Sequence, residues 1–191
     1  MKTFDDFFNN VHQFKERLNE FGYRLEIESL ELPSTKISAP IEQLQRDFAR
    51  RFRQVSLVNE TARREFYIAP ILMTVLDQGD FQLDFEYPIT GENLQGTVDY
   101  LLRGNKNLIV IEAKGAEMER GFAQLAAEML AAHEGLSNSG DIIYGAVTTG
   151  DLWRFGILDA TKKCIRKDVN QYIIPQNLEH VIATLTAILK Q

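Results

Sequence analysis

Hydrophobic and polar positions along this 191-residue chain follow two periodicities, and the switches between them mark its elements. Phe4, Phe7, Phe8, Val11, Phe14, Leu18 and Phe21 recur at helical spacing, which predicts a helix over residues 3–20. Tyr23, Leu25 and Ile27 then alternate like a strand, with Glu26 and Glu28 on the other face, before a loop at "LPSTKISAP". Helical spacing returns at Ile41, Leu44, Phe48, Phe52 and Val55, predicting a helix over 41–55 that buries this stripe. A further helix is predicted over 59–76, with Asn59 as its cap and a kink at Pro70, whose ring and missing N–H interrupt the ladder.

From there the period shortens. "FQLDFEYPIT" is strand-like and precedes a hairpin, "GTVDYLLRGNKNLIVIEAKG", in which Leu108 to Ile111 form an uninterrupted aliphatic run. A helix over 116–134 follows, burying Phe122, Leu125, Ala126, Met129 and Leu130, with Gln124 on the stripe of Gly121 and Glu128. Next come two strands around a turn at 149–151, where Trp153 and Phe155 share a face and fill the core. "CIRKDVNQYII" is another strand candidate, and "NLEHVIATLTAILK" an amphipathic helix with Asn177 at its cap position.

The hairpin also carries the candidate chemistry. Residues two apart in a strand share a face, so Leu108, Val110, Glu112 and Lys114 point one way. A loop centred between Asn105 and Lys106 pairs residues whose numbers sum to 211, which sets Asp99 opposite Glu112 and Thr97 opposite Lys114. Opposed side chains lie about 4.5–5.5 Å apart at Cβ, and two carboxylates held so close raise each other's pKa unless a cation intervenes. Oxygen ligands select a hard ion, Mg²⁺ or Mn²⁺, with the backbone carbonyl of Ala113 as an extra ligand beside waters. Lys114 would then sit beside a metal-bound water, favouring hydroxide and stabilising negative charge on a phosphate, and the implied chemistry is metal-assisted phosphodiester hydrolysis. The plainer reading of the same residues is a set of strand-end charges in which Glu112 and Lys114 pair with each other.

The pattern "VDY", twelve residues, then "EAK" resembles the PD-(D/E)xK, or restriction endonuclease-like, nuclease superfamily. "VNETARREFYIAPIL" together with "VIEAK" is similar to the N-terminal nuclease domain of type I restriction enzyme R subunits, over residues 55–159. The resemblance implies an α/β fold with a restriction endonuclease-like core, a mixed central β-sheet flanked by helices. It implies Asp99 and Glu112 as metal ligands, Lys114 as the catalytic lysine, and an acidic residue on the preceding helix, best matched by Glu60 with Glu65 in reserve. The sequence departs from the pattern at Val98, where the superfamily name has proline, and at Gln124–Glu128, where some branches carry tyrosine. The expected organisation is an N-terminal helical extension over 1–54 and a nuclease domain over 55–191. The expected activity is a metal-dependent nuclease acting on nucleic acid, DNA first. The alternative is a catalytically inactive module that keeps the fold to bind nucleic acid or protein.

Composition narrows this picture. A net charge of -6 argues against a protein that holds nucleic acid by bulk charge, but Arg46 to Arg64 contains six arginines against Asp47 and Glu60. Arg46, Arg50 and Arg53 share one helix face, the candidate phosphate track, and Gln124 is a candidate for orienting substrate or water. One cysteine, Cys164, excludes an internal disulfide, and no run reaches membrane-spanning length, so a cytoplasmic location is expected. His12, His133 and His180 are scattered and assemble no zinc site. Gly145 and Gly150 have P-loop spacing, yet Asp151 and Leu152 follow where Lys and Ser or Thr are needed. The phenylalanine-rich start calls for a partner surface, either the chain's own core or a second copy in a homodimer.

Overall fold

The computed structural model describes residues 2–4, 14–38, 41–56, 59–114, 117–137 and 139–191. In chain order the elements are β1 (Lys2–Thr3), α1 (Phe14–Glu20), β2 (Arg24–Glu28), α2 (Glu42–Gln54), α3 (Glu60–Arg63), a π-helical turn (Arg64–Ile68), α4 (Ala69–Leu76), β3 (Gln82–Thr90), β4 (Leu94–Arg103) and β5 (Leu108–Ala113). They continue as α5 (Met118–Gly135), β6 (Ile142–Thr148), β7 (Leu152–Asp159), β8 (Cys164–Asp168), β9 (Tyr172–Ile173) and α6 (Leu178–Lys190). The strands form one mixed sheet in the order β1-β4-β5-β6-β7-β8-β2, with β3 also on β4 and β9 also on β7. The chain is therefore α/β, a mixed central sheet with helices on both faces.

Each face of the sheet has its own core. On one, Leu101, Leu108 and Val110 meet Phe122, Leu125, Met129 and Leu130 of α5 and Phe14 and Leu18 of α1. On the other, Tyr100, Leu102, Ile109 and Ile111 meet Phe48 of α2, Ile71 and Leu72 of α4, and Leu185 and Ile188 of α6. β5 is buried along its whole length, as a strand covered on both faces requires. The hairpin register follows the sum of 211, from Arg103↔Leu108 to Tyr100↔Ile111.

The amino-terminal region departs from a plain helical extension. Thr3, expected to begin a helix, is strand, and Lys2 and Thr3 pair parallel with Leu94 and Gln95. β2 joins the same sheet parallel to β8, with Leu25 beside Ile165. Phe4, Phe14 and Leu18 are buried in the chain's own core, Phe14 edge-on to Phe122 with ring centroids 6.5 Å apart. Phe7, Phe8, Val11 and His12 lie outside the described residues.

Local chemistry explains the helix boundaries. The Asn59 side chain accepts the Ala62 N–H at 2.8 Å, capping α3 as expected. Pro70 acts one turn earlier than its own position. Its missing N–H frees the Phe66 carbonyl, the ladder widens to the π-helical turn, and Arg51 Nη1 donates to that carbonyl at 3.4 Å. Phe52, expected in the buried stripe of α2, packs edge-on to Tyr67 at 4.7 Å yet remains 39 % exposed. Asn177 does not cap α6 through its side chain. Its Oδ1 accepts the Ile173 N–H at 2.8 Å instead, tying β9 to the helix.

The end of α5 approaches β3 so closely that a Cβ at Gly135 would stand 2.2 Å from the Thr90 carbonyl oxygen. Both partners are backbone, so neither can swing aside. Gly135→Ala is therefore expected to destabilise the fold by about 1–3 kcal/mol, read as a lower urea midpoint with an unchanged denaturant slope.

Candidate active site

Three strands present one row of side chains under α5, and the end of β4 adjoins it. Extending the hairpin register by one residue sets Asp99 of β4 opposite Glu112 of β5, Glu112 pairs with Val147 of β6, and Val147 pairs with Arg154 of β7. The regular β4–β5 ladder stops at Tyr100↔Ile111. Beyond it the Ala113 N–H donates to Asp99 Oδ2 at 2.8 Å, so the side chain of Asp99 replaces main chain at the open end of the hairpin.

Glu112 is 1 % exposed and makes a close ion pair with the Lys114 ammonium. The pairing of the plainer reading is thus present in this structure. From above, Gln124 of α5 donates its amide to Glu128 Oε1 at 2.9 Å, and the fully buried Glu128 carboxyl faces that of Glu112. Beyond the Lys114 ammonium and each other, the Glu112 oxygens and Glu128 Oε2 have no further partner among the described residues. Room for the lysine stem comes from Gly121, where a Cβ would stand 2.8 Å from Lys114 Cγ and 2.7 Å from Val147 Cγ2. An open groove of about 540 Å³, lined by Gln95, Thr97 and Gln124 among others, runs along the adjoining end of β4.

These carboxyl groups are strongly perturbed. Burial first, then the charge and hydrogen-bonding of Glu128 and the charge of Asp99, hold the Glu112 carboxyl well above the usual glutamate range, against the pull of Lys114. Burial likewise pushes Glu128 up to about 7, although Glu112 and Gln124 hydrogen-bond to it. Burial works against a charged Lys114, but the Glu112 carboxylate outweighs it and the ammonium is held above its ordinary pKa.

A carboxyl whose folded pKa lies above its unfolded value gives stability that is complete below the unfolded pKa and lost as pH rises through the folded one. For Glu128 that window runs from the ordinary 4.5 to about 7. The metal-free protein should therefore lose stability across it, on the order of 3 kcal/mol. Glu128→Gln should flatten that loss in urea unfolding measured from pH 5 to pH 8, leaving the variant the more stable protein at the upper end.

The other sequence candidates are placed apart from this pair or at its edge. Glu60 opens α3, and its charge is felt at the Tyr100 hydroxyl. Arg64, four residues on, donates to that hydroxyl at 3.2 Å and lies 3.6 Å from Asp99 and 3.5 Å from Glu86. Glu65 is exposed. On the outer face of α2, Arg46 donates to Gln43, Arg50 to Asp47 and Arg53 to the Ala49 carbonyl, all within the helix. The residues that sequence reasoning left out of the site are Glu128 and Arg64. Each carried a signal in its spacing, Glu128 four residues after Gln124 and Arg64 four after Glu60.

Among the described residues no three His, Cys, Asp or Glu side chains form a ready metal-binding group. The donors at this end of the sheet are the carboxylates of Asp99 and Glu112, a ligand type that suits a hard divalent ion, with one Asp99 oxygen accepting the Ala113 N–H and Glu112 paired to Lys114. No helix among the described residues is long and apolar enough to cross a membrane. Comparison with protein-family models, with curated proteins and with solved structures gave no match.

Proposed function

We propose that the chain is a Mg²⁺- or Mn²⁺-dependent nuclease built on a restriction endonuclease-like core, hydrolysing phosphodiester bonds of nucleic acid, DNA first. The observation that carries this reading is a nearly inaccessible Glu112 carboxyl that pairs with the Lys114 ammonium, faces the buried Glu128 and lies near Asp99 at the end of the hairpin. A strand built only for packing gains nothing from such a group, because desolvating a carboxylate costs several kcal/mol.

Asp99, Glu112 and the Ala113 carbonyl are the residues that would hold the ion. When bound it supplies Lewis acidity toward the phosphate and lowers the pKa of water. Lys114, held as an ammonium, serves as an electrostatic donor to the charge that develops on the phosphate and not as a base. Gln124, fixed by Glu128, orients substrate or water, and Glu60, whose charge is felt at the Tyr100 hydroxyl, is the candidate outer ligand. Arg46, Arg50 and Arg53 offer charge to the flanking backbone.

A second reading is a silent module of the same fold that binds nucleic acid or protein. The Glu112–Lys114 pair favours it, since that pair already neutralises the site without an ion. Cleavage decides between them: labelled single- and double-stranded DNA and RNA are incubated with Mn²⁺ and with EDTA, and the nuclease reading requires Mn²⁺-dependent products from at least one.

A further inference from the structure

At the far end of the same row, and two residues along on the neighbouring strand, lie two cations that the proposed chemistry does not use. Arg154 of β7 is 8 % exposed and Lys167 of β8 is 7 % exposed. Both face α5: Arg154 pairs with Val147, which packs against Gly121, and Lys167 pairs with Gly156 and holds its ammonium 5.1 Å from the centre of the Phe122 ring. One carboxylate serves both. Glu119, in the first turn of α5, accepts from Arg154 Nη1 at 2.8 Å and makes a close contact with Lys167 Nζ, while its own side chain is 64 % exposed. Arg154 Nε is buried without a partner.

This arrangement inverts the usual economy of an ion pair, in which solvated cations reach over a buried acid. Here two desolvated cations share one solvated acid, and the site keeps a net charge of +1. The helix start adds its own positive field, since α5 has no side-chain cap and runs for 18 residues. Glu119 thus occupies, from the solvent side, the position that an exogenous oxyanion would take. The row sets the scale: Arg154 is two strands from Glu112, about 10 Å at the usual interstrand spacing.

We propose that Arg154 and Lys167 form an anion subsite for a non-scissile phosphodiester of the nucleic-acid backbone, with Glu119 as the internal anion that the phosphate displaces. The nature of the ligand rests on the nuclease-fold reading; the anion site itself does not depend on catalysis.

The test is equilibrium binding in EDTA, where no cleavage occurs, by fluorescence anisotropy of labelled single- and double-stranded oligonucleotides over a salt series. Glu119→Gln releases both cations and should tighten binding at least about fivefold at low salt, with a log–log salt slope steeper by about 0.9 for the added phosphate contact. Arg154→Gln in the Glu119→Gln background should reverse the gain. Glu179→Gln, an exposed charge change on α6 across the sheet, sets the effect of net charge alone. Tightening no larger than that of Glu179→Gln overturns the proposal, as does a gain for inorganic phosphate without one for the oligonucleotides. If Glu119→Gln tightens binding while the wild type cleaves nothing, the subsite stands and the catalytic reading falls. If the wild type cleaves and Glu119→Gln binds as Glu179→Gln does, the subsite falls and catalysis stands.

Discussion

Lys114→Ala is expected to lower the rate of Mn²⁺-dependent cleavage by about 10²–10³-fold, the cost of removing one preorganised donor from developing charge. The fold should survive the change. Without its ammonium partner the Glu112 carboxyl, already held well above the usual range by burial and by Glu128, takes up a proton instead of remaining an unpaired buried charge. Metal affinity should hold or increase, because the Lys114 ammonium competes with any cation for the Glu112 carboxylate. Single-turnover cleavage and Mn²⁺ titration on the same preparation separate these effects. A variant that cleaves at the wild-type rate would remove Lys114 from the chemistry, and one that loses Mn²⁺ binding would make it a structural residue.

The second large effect is on stability. An ion that binds only the folded chain adds about 2.7 kcal/mol at a hundredfold excess over its Kd, which for a chain of this length raises Tm by roughly 5–10 °C. Asp99→Asn should reduce that shift to near zero. Its amide oxygen can still accept the Ala113 N–H, so the hairpin end is kept while the ligand charge is lost. Thermal unfolding with and without Mn²⁺ measures both quantities, and an unchanged shift in the variant would move the ion elsewhere.

The elements legible in the sequence are those whose determinants are local. The four-residue loop at 104–107 sets the hairpin register, and that register leads to Asp99 and Glu112 just beyond its last pair, where Asp99 accepts the Ala113 N–H. Asn59 caps α3 because the residues it serves are its immediate neighbours. What escaped the sequence depends on distant chain. Lys2–Thr3 is too short to show a period and becomes strand only because the exposed start of β4 accepts it. β2 reads as a strand, but its partner β8 is more than a hundred residues away and nothing local names it. Asn177 has the composition of a cap, yet the Ile173 N–H from β9 claims its oxygen.

The candidate site divides in the same way. Asp99, Glu112 and Lys114 come together through strand period and hairpin symmetry alone. Glu128 does not, because a glutamate amid alanine, leucine and methionine on a helix looks like one exposed position. α5 is instead packed on nearly all sides, and its Glu128 lies in the core against Glu112. Arg154 and Lys167 are likewise ordinary strand cations in the sequence. Only the β6–β7–β8 registers put them on the α5 face beside Glu119.

The most direct test of the central claim is diffraction from crystals soaked in Mn²⁺, with anomalous data collected at the manganese edge. A peak is expected between the carboxylates of Asp99 and Glu112, with the Lys114 ammonium withdrawn from Glu112 to make room for it. No peak at saturating Mn²⁺, or a peak that touches neither carboxylate, would contradict that claim.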